Sequence, residues 1–143
     1  MPAASRSVVG IVDDDPAVRR ALARLVASMG HAVRVFASPS EILSAGGTRG
    51  LDCLLLDVRL PGMDGFSLYA RLCEERRLPV IFVTAHDDAA ARARAAQAGA
   101  VALLAKPFDD GRLLDALLEA TADGPSAPLE RTRRRPPVPP EAR

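Results

Sequence analysis

The chain has 143 residues, of which 48% are apolar and 26% charged, and its formal net charge is +1. That length allows one domain with a full core, and the composition excludes a wholly disordered chain. The near-neutral charge argues neither for nor against nucleic acid. No run approaches the ~20 apolar residues of a membrane helix, and Met1-Pro2-Ala3-Ala4-Ser5-Arg6 lacks the apolar stretch of a secretory signal, so a cytoplasmic protein with no membrane contact is expected.

With no Trp and 3% aromatics, the core has to be built from Leu, Val, Ile and Ala. Cys53 and Cys73 show no metal-ligand spacing and are expected to stay reduced. Of 19 cationic side chains 18 are Arg, and Lys106 is the one lysine. A compact ammonium on a flexible stem at a single position invites a chemical reading.

In chain order, Ser7 to Val12 is a β-rich run that stops at Asp13-Asp14-Asp15-Pro16. Pro at a first helical position after an Asp cap predicts a helix there, with Val18, Leu22, Leu25 and Met29 on one face and Gly30 at its end. His31 to Phe36 alternates and predicts a second strand near an edge. Ser38-Pro39-Ser40-Glu41 combines a capping box with a first-turn Pro and predicts the second helix, broken by Gly46-Gly47.

Leu51-Asp52-Cys53-Leu54-Leu55-Leu56 reads as a strand buried on both faces, and Asp57 sits at its carboxyl end before Val58-Arg59-Leu60-Pro61-Gly62. Asp64 caps a third helix carrying Phe66, Leu68, Leu72 and Cys73. Pro79 to Thr84 is a fourth strand, and Asp87 opens an Ala-rich helix to Ala98. Val101 to Ala105 is the fifth strand, closed by Lys106-Pro107. Asp109 to Ala122 forms the last helix, with Leu113, Leu114, Leu117 and Leu118 turned inward. Five strands alternating with five helices predict an α/β fold, a doubly wound parallel sheet.

Parallel strands put their carboxyl ends on one side, where open α/β sheets build their sites. Asp13, Asp14, Asp57, Thr84 and Lys106 all fall at such ends. Crowded carboxylates repel unless a cation offsets them, and Asp oxygens with room for water and phosphate suit Mg²⁺. A phosphoryl group transferred to the Asp57 carboxylate fits this set, with the metal and Lys106 neutralising its oxygens and the Thr84 hydroxyl donating to one of them.

The segments IVDDDPAVRRAL, DCLLLDVRLPGMDG, LPVIFVTAH and the run from Gly99 to Phe108, in this order and spacing, resemble a response-regulator receiver domain of two-component signalling, closest in style to FixJ-like receivers. The resemblance implies a flavodoxin-like (βα)5 sheet of strand order 2-1-3-4-5. It implies that Asp57 is the phosphoacceptor, that Asp14 binds Mg²⁺ directly and Asp13 through water, and that Arg59 lends its backbone carbonyl to the metal. Lys106 would bind the phosphoryl group, Thr84 would be the switch hydroxyl, and Lys106-Pro107 would be a cis peptide. Asp15 and Asp64 are assigned to helix caps, and Asp52, Asp87 and Asp109 to solvent or caps.

Two departures stand out. Receivers of this kind usually carry an aromatic three residues before the lysine, where this chain has Leu103. Arg59 and His86, two residues after Asp57 and Thr84, stand at the mouth of the site, where they either tune access of the hydrolytic water or form a solvated rim.

Residues 1–6 are expected to be a flexible amino-terminus, 7–122 the receiver, and 123–143 a disordered Pro/Arg-rich tail holding six of the twelve prolines, with no DNA-binding output domain. The expected partners are a sensor histidine kinase, meeting the first helix and nearby loops, and an unidentified downstream protein. The output face would be the fourth helix, fifth strand and fifth helix, where Arg92, Arg94 and Arg112 suggest an acidic partner. Use as a phosphate sink is the other expected mode of action, and a phosphorylation-dependent homodimer is a further expected partner state. The chain is read as a phosphoacceptor with self-catalysed, Mg²⁺-dependent chemistry and not as an enzyme. The alternatives are a phosphorylation-independent interaction module and a haloacid-dehalogenase-like phosphatase, which would place its nucleophile after the first strand.

Overall fold

A computed structural model describes residues 6–122. In order they form β1 (Val8–Val12), α1 (Pro16–Ser28), β2 (Ala32–Phe36), α2 (Pro39–Ser44) and β3 (Cys53–Asp57). These are followed by α3 (Gly65–Leu72), β4 (Val80–Thr84), α4 (Ala89–Gln97), β5 (Ala102–Ala105) and α5 (Asp110–Ala120). The strands pair in parallel in the order β2-β1-β3-β4-β5. β3 and β4 lie inside the sheet and are buried at every residue, whereas the edge strand β2 leaves Val35 exposed.

Alternation along each strand sorts the apolar side chains into two layers. Leu54, Leu56, Val80 and Phe82 face one way, against Ile42 of α2, Leu68, Tyr69 and Leu72 of α3, and Ala91 and Ala95 of α4. Cys53, Leu55, Ile81 and Val83 face the other way, against Leu22 and Val26 of α1 and Leu113 and Leu117 of α5. Full burial of side chains of this size is worth about 1.5–3 kcal/mol each, so both helix layers are anchored to the sheet.

Helix starts follow local chemistry. Asp15 accepts from the Ala17 and Val18 amides, Asp64 from Ser67, Asp88 from Ala91 and Asp109 from Arg112, each meeting a donor that the helix itself leaves free. Ser38 takes the Glu41 N–H at 3.2 Å while the Glu41 carboxylate takes the Ala37 N–H at 2.9 Å, so the capping box is closed one residue further out than its usual form. Gly30, at φ 95°, lets the chain leave α1 in a conformation that side chains disfavour.

Three expectations are corrected. The cap of α4 is Asp88, one residue beyond Asp87, which pairs instead with Arg92 at 2.9 Å. Leu114 and Leu118 point outward, at 39% and 58% exposure, because the face of α5 that meets the sheet is Leu113, Ala116, Leu117 and Ala120. Asp52 is more than a solvated residue or a cap: half-buried, its Oδ2 accepts the Val8 N–H at 2.9 Å and ties the start of β3 to that of β1. The expected amino-terminal arm to residue 5 and the tail from 123 lie outside the described residues.

Candidate functional site

The order 2-1-3-4-5 means that the chain leaves β1 toward one edge and later returns to its other side at β3. The carboxyl ends of β1 and β3 are therefore the switch point of the sheet, where connections diverge and leave a crevice. Asp13 follows β1 and Asp57 ends β3, so both carboxylates enter that crevice. Both are buried, at 1% and 6% exposure, while Asp14 beside them is open to solvent.

Asp13 is held from several sides. Its amide donates to the Phe36 carbonyl at 3.2 Å, its carbonyl accepts from Arg19 Nη1 at 2.7 Å, and its Oδ1 accepts the Asp15 N–H at 2.9 Å. Oδ2 remains for Lys106, whose Nζ lies 3.3 Å away. Asp57 is arranged in parallel fashion: Oδ1 accepts the Arg59 N–H at 3.2 Å and Oδ2 faces Lys106 Nζ at 3.3 Å. Lys106 reaches them because its own amide donates to the Thr84 carbonyl at 2.7 Å, which fixes the end of β5 beside that of β4. The Lys106-Pro107 peptide is cis.

The electrostatics follow from this crowding. Burial and the neighbouring Asp13 charge push the Asp57 carboxyl above its ordinary value, against the opposing pull of Lys106 and the Arg59 N–H. Burial alone would lower Lys106, but Asp13 and Asp57 outweigh it and hold the ammonium above its ordinary range. Asp13, Asp14 and Asp57 each offer a carboxylate oxygen within 4.8 Å of the others. Counted with Lys106 the group has a net charge of −2. Three hard oxygen donors, two buried and one facing solvent, fit a small dication that keeps part of its water.

Thr84 is buried at the end of β4, and its hydroxyl is engaged with the next loop: it donates to the His86 carbonyl at 3.2 Å and accepts the His86 N–H at 3.0 Å. Arg59 and His86 are exposed at the rim. Leu103 is partly buried against the layer of α2, α3 and α4, and lines a cavity of about 180 Å³ with Asp87, Ala105, Pro107, Phe108, Asp109 and Arg112.

The structure thus gathers Asp13, Asp14, Asp57 and Lys106 into one cluster. It sets Thr84 at its edge and leaves the Arg59 side chain outside. Of the arginines expected on the output face, Arg92 and Arg94 are already paired, with Asp87 and Asp64, so that surface offers less free positive charge than the sequence suggests.

Sequence reasoning passed over Gly65. Its N–H donates to the Val58 carbonyl at 2.7 Å, and a Cβ there would run into the Asp57 carbonyl oxygen, so only glycine lets α3 start directly behind the site. The one available signal was a Gly at the first helical position after the Asp64 cap. Arg19 was also missed, and its only signal was its position six residues after Asp13.

This architecture is the flavodoxin-like class of open, doubly wound sheets, with an acidic cluster and a lysine at the switch point. A family model described as the response regulator receiver domain matches residues 9–118, and the chain belongs to that family: it contains the receiver domain of a two-component response regulator. Nodulation protein W of Bradyrhizobium diazoefficiens is 41% identical over 120 residues, covering 83% of this chain and 53% of that protein. Response regulator protein TmoT of Ectopseudomonas mendocina is 41% identical over 115 residues, covering 80% and 52%. The chain therefore spans about half the length of the curated relatives it matches.

Among solved structures, a response regulator receiver protein from Burkholderia phymatum is 41% identical with a TM-score of 0.69, over 80% of this chain and 94% of that one. A CheY-like receiver domain protein from Methanospirillum hungatei is 28% identical with a TM-score of 0.74, over 80% and 93%. Among the described residues no helix is long and apolar enough to cross a membrane.

Proposed function

We propose that residues 7–122 act as a phosphoacceptor switch in which Asp57 receives a phosphoryl group from a histidine kinase. An Asp57 carboxylate oxygen attacks phosphorus, the bond from phosphorus to the kinase histidine nitrogen breaks, and an acyl phosphate forms. Water later cleaves it to restore the carboxylate and release phosphate. The observation that supports this best is Lys106 Nζ at 3.3 Å from both buried carboxylates, a mobile positive charge already placed where phosphoryl oxygens would arrive.

Asp13, Asp14 and Asp57 would hold Mg²⁺, with Asp13 acting through water and the Arg59 carbonyl completing the set. The metal, when bound, neutralises charge on the transferring group. To reach a phosphoryl oxygen the Thr84 hydroxyl has to leave the His86 backbone, so modification would release that loop. The output would run to a downstream protein through α4, β5 and α5. The chain would be a cytoplasmic signalling component, consuming the phosphoryl group on itself and turning over no separate substrate.

Intact mass after incubation with Mg²⁺ and a small phosphodonor tests the reading. A phosphoryl-sized gain that requires both Mg²⁺ and Asp57 is expected, and it should be absent in Asp57→Ala. Phosphorylation at another residue, or no gain in the wild type, would reject it.

A further inference from the structure

α4 has little apolar surface to hold it. Of its nine residues only Ala91 and Ala95 are buried, and alanine removes little area from water. Arg94 supplies a second attachment. Its Nη1 donates to Asp64 Oδ2 at 3.0 Å, and its guanidinium lies over the Phe66 ring, 4.6 Å from the centroid. Asp64 uses its other oxygen to cap α3 through the Ser67 N–H at 2.8 Å, so one carboxylate joins two helices.

What Arg94 grips is the far end of the loop that begins at Asp57. The Gly65 N–H on the Val58 carbonyl closes that loop at its base, with Asp57 just before it and Asp64 just inside it. Phe66 packs on Phe82 with centroids 4.6 Å apart, and Phe82 lies two residues before Thr84 on β4. Arg94 therefore holds the segment that follows Asp57 directly, through one carboxylate and one ring, and meets the strand that carries Thr84 at one remove, where Phe66 packs on Phe82. Arg92 on the same helix makes no such bridge, since its partner Asp87 belongs to the approach to α4 itself.

We infer that Arg94 is a positioning residue, a clasp tying α4 to the Asp57 loop, through which a change of charge at Asp57 moves α4 by displacing Asp64 and Phe66. Both contacts of Arg94 are near the surface and individually weak, as a bond that must be remade in a second state requires. The transmission rests on the phosphoacceptor reading, whereas the tether does not.

Amide hydrogen exchange on the full chain separates the two, comparing wild type, Arg94→Met, Arg94→Lys and Arg92→Met, free and with Mg²⁺ plus beryllofluoride as a phosphoryl mimic. In the free Arg94→Met protein, amides of residues 91–98 should exchange about 5- to 20-fold faster with α5 unchanged, as losing a surface ion pair and a cation–π contact together implies. Arg94→Lys should fall between, keeping the charge but not the planar stacking, and Arg92→Met should leave the α3 amides unchanged. With the mimic, the Arg59 and His86 amides should respond in both wild type and Arg94→Met, but α4 should respond only in the wild type. An α4 response in Arg94→Met equal to the wild type overturns the transmission, and unchanged exchange in the free variant overturns the tether. Silence at Arg59 and His86 in the wild type rejects the phosphoacceptor reading and the transmission together, leaving the tether to be decided by the free-protein comparison.

Discussion

Lys106→Met keeps a stem of similar length and deletes the charge between two buried carboxylates. Nζ is 3.3 Å from Oδ2 of Asp13 and of Asp57, and at an effective dielectric of about 20 each attraction is worth roughly 5 kcal/mol before solvation is counted. On the same scale the two carboxylates, whose nearest ligand oxygens lie within 4.8 Å, repel by at least about 3.5 kcal/mol. Desolvation of the ammonium offsets much of the attraction, and the lysine side chain keeps 24% exposure. The net loss should therefore lie near about 3 kcal/mol, the lower end of the range for removing one partner of a buried pair.

Urea unfolding followed by circular dichroism, at pH 7 with chelator, measures that loss. In an Asp57→Asn background the same replacement should cost about 1–2 kcal/mol less, because one of the stranded charges has gone. Added Mg²⁺ should restore more stability to Lys106→Met than it gives the wild type. The Lys106 pKa is raised, so its contribution is complete below the ordinary value of 10.5 and disappears as pH rises through the folded pKa, where wild type and variant should converge. A loss under about 1 kcal/mol, or one that is the same in both backgrounds, would refute the electrostatic account.

Asp57→Asn should stabilise the metal-free protein at pH 7, raising the thermal midpoint by about 3–6 °C. The folded carboxyl is raised by burial and Asp13, so its contribution is most favourable below the ordinary value of 3.8 and falls as pH rises through the folded pKa; an unchanged or lower midpoint would contradict this. His31 is lowered by burial, so the protein should lose stability as pH falls from 6.5 toward the folded pKa, and thermal melts at pH 7.5 and 5.5 should show a smaller difference in His31→Gln. Gly65→Ala would ordinarily favour a helix by about 1 kcal/mol, but contact of the new Cβ with the Asp57 carbonyl should reverse the sign to a loss of about 2–3 kcal/mol in urea titrations. A stabilised Gly65→Ala would show that α3 can retreat from the site at little cost.

The elements of this chain are legible because each is written locally. Asp15-Pro16, Ser38-Pro39 and Asp64 mark helix starts by the hydrogen bonds they accept, and the apolar runs into Asp57 and Thr84 are buried at every strand residue. Errors fall where local chemistry offers two equal answers. Asp87 and Asp88 are both good caps, and in the fold Asp88 takes the cap while Asp87 pairs with Arg92. Leu114 and Leu118 are as apolar as Leu113 and Leu117, and only the angle at which α5 lies on the sheet decides which pair is covered.

For the site, the sequence by itself determined the residue types, their place at strand ends and the likeness to receivers. Parallel strands guarantee that such ends share one side of the sheet. Only the tertiary structure decided who touches whom. Lys106 sits between Asp13 and Asp57 across separations of 93 and 49 residues, Thr84 is bonded to the His86 backbone, and Arg94 is spent on Asp64 and Phe66. Those contacts depend on strand order and on the depth at which each helix packs, both set by the sum of many weak burials over the whole core. No short stretch of sequence contains that sum.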